Sequence, residues 1–315
     1  MAINQVEKPF RITSVYHQLL FGLGDKPGLW HFHIMTADQI MTADQSCRLR
    51  GYSPKSVRMV KTRYRTLADH GYVQIDSVPI PVTSQLHATK FFRSQYYYAP
   101  GIECARYAKL LGYDVKDSFR ASEQIGKHSI FIEHALRIND VLISALLLKQ
   151  ANPLYYLADF IDERQLKKRQ FEVTWRGQRL ALVPDMFLDF RATAPDGRQW
   201  RWPILHEHDC ATEFGEEGFR RKIRAYGAML KAQAHEQWFG IKSVRIAFTT
   251  FKGENRREYM REVVRQELAD EPRLLSSFVF TAQPQPPDPY HLWLEKCWYL
   301  PLDSQPVALL GGGDK

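Results

Sequence analysis

The stretch VPDMFLDFRATAPDGRQWRWPILHEHD, residues 183–209, decides how the back half of this chain reads. Two strand-prone segments, MFLDFR at 186–191 and RWPILHEHD at 201–209, flank the turn signal Pro195-Asp196-Gly197. Such segments on either side of a turn predict an antiparallel hairpin. Pairing outward from Asp189 or Phe190 carries Asp185, just behind Pro184, to the end of the second strand. Strand alternation puts Glu207 and Asp209 on one face and His206 and His208 on the other. The spacing therefore predicts three carboxylates, Asp185, Glu207 and Asp209, gathered at one spot.

Three acids in one place repel unless a cation neutralises them. Mg²⁺ or Mn²⁺ is the natural choice, because hard cations take oxygen ligands. Thirteen positions beyond Asp209 comes Lys222, on a helix expected from Glu216 to about Glu236. Tyr226 is four residues further and shares its face. Lys222 is placed to orient a water or offset charge on a reacting phosphate. Asp189 shares a strand face with Asp185 and is a weaker candidate. Taken singly, each residue also has a plainer role: Asp185 as a turn cap, Glu207 and Asp209 on a solvated edge, and Lys222 on a charged helix face.

The surrounding pattern is α/β. A long helix is expected at Ile125–Lys149, with strands at FEVTW (171–175) and RLALV (179–183) ahead of the hairpin. A strand at Val244–Phe251, a helix at Arg256–Leu268 and a strand at Phe278–Thr281 follow the Lys222 helix. This gives a helix, a three-strand meander, then helix, strand, helix and strand. QPQPPDP at 283–289 reads as a turn or linker, and GGGDK at 311–315 as a flexible tail.

The front half is different. GYSPKSVRMVKTRYRTLADHGYVQI, residues 51–75, offers Ser53 as a cap, Pro54 in the first turn and Gly71 as a stop. Val57, Val60, Tyr64 and Leu67 form its inward face. Lys55, Arg58, Thr62 and Arg65 lie opposite, and with Lys61 and Arg63 they fall in an eleven-residue run that has no acid. Ahead of it lie a helix at Ser14–Phe21 and a direct repeat, MTADQIMTADQ at 35–45, in which one threonine or the other caps a second helix. Behind it come a strand at Tyr72–Ile75, a break at Pro79 and Pro81, and a second strand at Phe91–Tyr98 carrying Arg93, with Lys90 just ahead. Three helices followed by a hairpin is the order of a winged helix-turn-helix. The third helix would enter the major groove, with Lys90 and Arg93 of the wing touching the backbone. The boundary is expected at 120/121: residues 1–120 form the winged-helix domain with its connector, and 121–315 the α/β domain.

Bulk properties agree with a nucleic-acid partner. The formal net charge is +8 over 315 residues and the pI is about 9.2, which favours a polyanion. Cys47, Cys104, Cys210 and Cys297 form no C-x-x-C pair, which suggests a reducing, cytoplasmic setting. The opening MAINQVEKPFRITSV lacks the apolar core of a signal peptide, and the run Val141–Leu148 is too short to span a bilayer. No phosphate-binding G-x-x-x-x-G-K-[ST] loop occurs, so nothing argues for an ATPase.

Pro184-Asp185, then Glu207-x-Asp209, then Lys222-x-x-x-Tyr226 resembles the PD-(D/E)XK nuclease superfamily, with its αβββαβ core. The lysine normally found two residues after the second acid is replaced by Asp209, and Lys222 fits the variant in which it has moved to the next helix. The chain from about 14 to 250 is similar to the replication-relaxation family of plasmids and other mobile elements. That resemblance rests on the basic helix, YYYAPGIECARYAKLLG (96–112), IEHALRINDV (132–141), LVPD (182–185), HEHD (206–209) and RKIRAY (221–226). It implies DNA handling.

The first expected function is a Mg²⁺- or Mn²⁺-dependent DNA endonuclease or nickase acting on double-stranded DNA. Asp185, Glu207 and Asp209 would be its metal ligands, and those three with Lys222 its catalytic set. The alternative is a non-catalytic replication accessory factor or transcription regulator on a nuclease-like scaffold. A third is an interaction platform using the 283–289 segment. Other mobile-element proteins and a second copy of the chain are compatible partners. His206 and His208 tempt as zinc ligands but flank the acids on the wrong face; His134 reads as a helix-packing residue.

Overall fold

The computed structural model describes residues 10–23, 28–30, 41–82, 91–115, 119–169, 171–210, 216–283 and 286–311. The chain divides into two compact units, with the division falling after Leu136. It therefore lies inside the long helix rather than ahead of it at 120/121.

The first unit opens with α1 (Ser14–Phe21), α2 (Ala43–Arg50) and α3 (Val57–Asp69), the last entered through a 3₁₀ turn at Pro54–Ser56. Within the repeat, Thr42 is the cap. Its hydroxyl accepts from Gln45 N and the Gln45 side chain accepts from Thr42 N, so two otherwise unbonded donors are satisfied. The first copy, 35–40, lies outside the described residues. Val60, Tyr64 and Leu67 are fully buried along α3. Tyr64 stacks on Tyr98 at 4.3 Å, and its hydroxyl shares a 2.6 Å hydrogen bond with Ser46. At the end of α3, Gly71 takes φ +74°, while Gly71 N and Tyr72 N bond back to Ala68 O and Leu67 O.

The hairpin that follows is longer than the prolines suggested. β1 (Val73–Val82) pairs antiparallel with β2 (Phe91–Pro100), and Pro79 and Pro81 sit opposite Ser94 and Phe92. Two positions apart, they fall on alternate sites that a two-stranded ribbon leaves without a ladder bond. Met41 N and O bond Tyr98 O and N, adding a one-residue third strand. α4 (Ile102–Leu110) follows. Val78, Tyr97 and Ala99 of the hairpin pack with Ile132, Ala135 and Leu136 from the start of α5 (Ser129–Ala151).

The second unit is a mixed α/β layer structure around a five-stranded sheet. Its strands are β3 (Tyr155–Asp162), which runs into the short helix α6 (Glu163–Lys167), then β6 (Met186–Thr193), β7 (Gln199–Asp209), β8 (Arg245–Thr250) and β9 (Phe278–Ala282), in that order across the sheet. β3, β6 and β7 are antiparallel; β7, β8 and β9 are parallel. The parallel strands are joined through α7 (Glu216–Lys231), with α8 (Ala234–Phe239) after it, and through α9 (Glu254–Glu267). Phe219, Ile223 and Tyr226 of α7 and Met260, Val263 and Val264 of α9 share a core with Phe187, Leu205, Ile246 and Phe248. On the opposite face Phe190 packs on Trp293 of α10 (Pro289–Leu294), whose indole donates to Ser144 on α5.

Several expectations are corrected. The third antiparallel strand of the sheet is β3, unforeseen in the sequence. The segments at 171–175 and 179–183 form a separate hairpin, β4 (Glu172–Trp175) with β5 (Gln178–Ala181). Val173, Trp175 and Leu180 bury against the α7 core, so this hairpin covers a helix rather than extending the sheet. The helix expected to reach Glu236 breaks at Gln233, which takes φ +54°. The long helix begins at Ser129, not Ile125. A last pair, β10 (Lys296–Trp298) with β11 (Val307–Ala308), closes the chain. Among the described residues no helix is long and apolar enough to cross a membrane.

Candidate functional site

The β6–β7 ladder runs from Thr193↔Gln199 to Met186↔His206. Asp185, the residue before Met186, lies just beyond this last rung, close enough for its charge to act on Glu207. Asp185 Oδ2 accepts a 2.7 Å hydrogen bond from His208 N. α7 crosses the face that carries Glu207. Lys222 Nζ lies 2.9 Å from Glu207 Oε2, and the Tyr226 hydroxyl donates to Glu207 Oε1. The i, i+4 spacing on α7 thus brings both side chains to one carboxylate.

Glu207 is essentially inaccessible to water. Burial raises its carboxyl pKa, and the neighbouring Asp185 raises it further; Lys222, by its charge and hydrogen bond, and Tyr226 pull it down. The balance leaves it at about 7. The Tyr226 phenol is held well above its ordinary range, first by burial and then by the charge of Glu207. A buried acid, a lysine and a second carboxylate thus share one small volume. Perturbation of this kind marks candidate functional sites.

Asp209 does not join them. Arg256, in the first turn of α9, grips it with Nε to Oδ2 and Nη2 to Oδ1, both 2.7 Å. Among the described residues, no three His, Cys, Asp or Glu side chains come together to hold a metal ion. The expected three-acid cluster is therefore a pair, Asp185 and Glu207, and Asp209 is an ion-pair partner. Alternation along β7 aims Asp209 at the correct face, but the guanidinium from α9 takes both its oxygens. Asp189, also on this face, is buried and held by Arg191 at 3.0 Å and Arg201 at 2.8 Å, so it too serves an ion pair.

His206 and His208 lie on the far face. His206 Nε2 and His208 Nδ1 each lie 2.9 Å from the Thr249 hydroxyl on β8. One threonine thus anchors both residues that flank Glu207. His134 is half-buried on α5. Thr249 and Arg256 were not foreseen. Arg256 stands 47 positions from its carboxylate, and no local pattern in the sequence links them.

In the first unit, Arg58, Lys61, Thr62 and Arg65 are exposed along α3, and Lys55 is exposed on the turn before it. Arg63 is half-buried. Thr62 Oγ1 bonds Arg58 O at 3.1 Å, within the helix. Among the described residues, none of these cations is in a salt bridge, whereas Arg48 on α2 pairs with Asp44. Lys90 lies outside the described residues. The backbone of Arg93 pairs with Ile80, while its side chain is outside the description.

Comparison of the chain with protein-family models, with curated proteins and with solved structures gives no match.

Proposed function

We propose that this chain is a DNA-binding protein whose second unit is a Mg²⁺- or Mn²⁺-dependent phosphodiesterase acting on duplex DNA, as an endonuclease or nickase. The observation that carries this is the meeting of Asp185, Glu207 and Lys222 at the β6–β7 edge, two carboxylates and one ammonium in a buried corner. The order helix, three antiparallel strands, helix, strand supports a PD-(D/E)XK-like core. Three helices, a hairpin, and the Met41 bridge to Tyr98 support a winged helix in the first unit. The cationic face of α3 suits it to phosphates and the major groove.

The donor set fits a hard divalent ion. Mg²⁺ is commonly held by one or two carboxylates, with water and substrate phosphate completing its shell. Asp185 and Glu207 would hold it; such an ion supplies a water of lowered pKa and neutralises phosphate charge. Tyr226 fixes Glu207 by its hydrogen bond. Lys222 is the cation beside Glu207, and its ammonium is placed to meet charge on the phosphate. The resemblance to DNA-handling proteins of plasmids and mobile elements suits this reading, and a cytoplasmic location follows from it.

A second reading has its own observation. Both oxygens of Glu207 are already taken, by Lys222 and Tyr226. A closed network of this kind also suits a non-catalytic accessory factor on the same scaffold. Incubating the full chain with supercoiled plasmid separates the two. Nicked or linear product with Mn²⁺ and none with EDTA supports the enzyme. Salt-sensitive binding without cutting in any divalent metal supports the accessory factor.

A further inference from the structure

Arg256 and Asp209 form the tightest polar contact at this edge of the sheet that the proposed chemistry leaves unused. The guanidinium meets the carboxylate through two parallel 2.7 Å hydrogen bonds. Its other surroundings hold it there: Tyr259 lies under it with the ring centroid at 4.7 Å, and Phe219 flanks it at 5.8 Å. Asp209 is buried, and Arg256 is mostly buried. A bidentate pair on a desolvated carboxylate is hard to replace, because arginine does not deprotonate and a cation at Asp209 would strand it. Glu207 is held differently. A partly exposed lysine makes one point contact and can turn away when a divalent charge arrives, while the buried phenol makes one neutral contact that leaves Glu207 Oε1 a free lone pair.

We propose that Arg256 is a positioning residue that withdraws Asp209 from the ligand set, so that the centre takes a single divalent cation, on Asp185 and Glu207. This rests on the metal-dependent reading of the site and adds the number of ions and the reason for it. Alternation along β7 would turn Asp209 to the same face as Glu207 and add a third carboxylate, a ligand for a second ion. The ion pair from α9 reduces that to two carboxylates and one ion.

The test is Mn²⁺ binding to the full chain without DNA, followed by the electron paramagnetic resonance signal of free Mn²⁺, with circular dichroism as the check on folding. The expected result is one ion per chain. Asp185→Asn and Glu207→Gln should each weaken binding at least tenfold. Asp209→Asn should leave it within about threefold of the parent. The double variant Asp209→Asn with Arg256→Met removes both charges together and should do the same even if the single variant unfolds. Arg256→Met alone releases Asp209 and should tighten binding at least threefold or add a second ion. Two ions on the parent chain, loss of binding in the double variant comparable to Asp185→Asn, or unchanged binding in folded Arg256→Met would overturn the proposal. A folded parent chain that binds no Mn²⁺ would instead remove the metal-dependent reading beneath it.

Discussion

Asp185 lies one residue beyond the last rung of the β6–β7 hairpin, Met186↔His206, and the backbone N–H of His208, next to Glu207, donates to the Asp185 carboxylate at 2.7 Å. Two acids are thereby held against each other in a place that water barely reaches. The folded chain pays for this in the ionisation of Glu207.

That cost has a sign and a window. The Glu207 carboxyl is raised from 4.5 to about 7, first by burial. Between those values the folded chain keeps a proton that the unfolded chain has released, so this group lowers stability as pH rises through the window. Below about pH 4.5 the cost is absent, and above about 7 it is fully present. Glu207→Gln should remove it. In EDTA, the melting temperature of the variant relative to the parent should be higher at pH 8 than at pH 5. An equal difference at both would contradict the assignment.

Lys222 opposes the rise in Glu207 more than any other neighbour, with Tyr226 contributing a hydrogen bond in the same direction. Lys222→Met should therefore move the Glu207 titration upward, and Tyr226→Phe should move it upward by less. Carbon-detected NMR of the side-chain carboxyl, without metal, reads this directly. A downward shift in either variant would contradict the geometry.

On α3, Arg58 and Arg65 are exposed and unpaired among the described residues. Replacing both with alanine should weaken duplex binding and reduce the salt slope of the association constant by about 2, one for each phosphate no longer neutralised. Circular dichroism should be unchanged, because neither residue is in the core. An unaltered slope would remove α3 from the interface.

Tyr64 holds the same helix in place, through its ring on Tyr98 and its hydroxyl on Ser46. Tyr64→Ala should cost about 3–5 kcal/mol, as aromatic truncations in cores do. Tyr64→Phe should cost about 1 kcal/mol, because the Ser46 hydroxyl loses its oxygen partner and keeps only the Met41 sulfur. Hydrogen exchange of the α3 amides measures both, and equal protection in all three proteins would contradict the packing.

Much of this was legible from residues close in sequence. The turn at 195–197 sets the β6–β7 register, which brings Asp185 to Glu207. Helical spacing puts Lys222 and Tyr226 together, and Val60, Tyr64 and Leu67 opposite the arginines. What local pattern could not show is long-range. β3 does not follow simple alternation, being half-buried at Tyr155–Leu157 and exposed at Ala158 and Asp159. It becomes a strand by pairing with β6, Asp159 opposite Asp189. The β4–β5 hairpin looks like sheet in sequence because Val173, Trp175 and Leu180 alternate, yet they alternate against a helix. Asp209 carries no mark of Arg256, whose position depends on the β8–α9 crossover.

The most direct test of the central claim is single-turnover cleavage of a labelled duplex in Mn²⁺, comparing the parent chain with Asp185→Asn at concentrations that saturate binding of both. Cutting by the parent, with at least a hundredfold slower cutting by the variant and an unchanged dissociation constant, is the predicted result. Equal cutting by both, or none by a folded parent that binds the duplex, would contradict it.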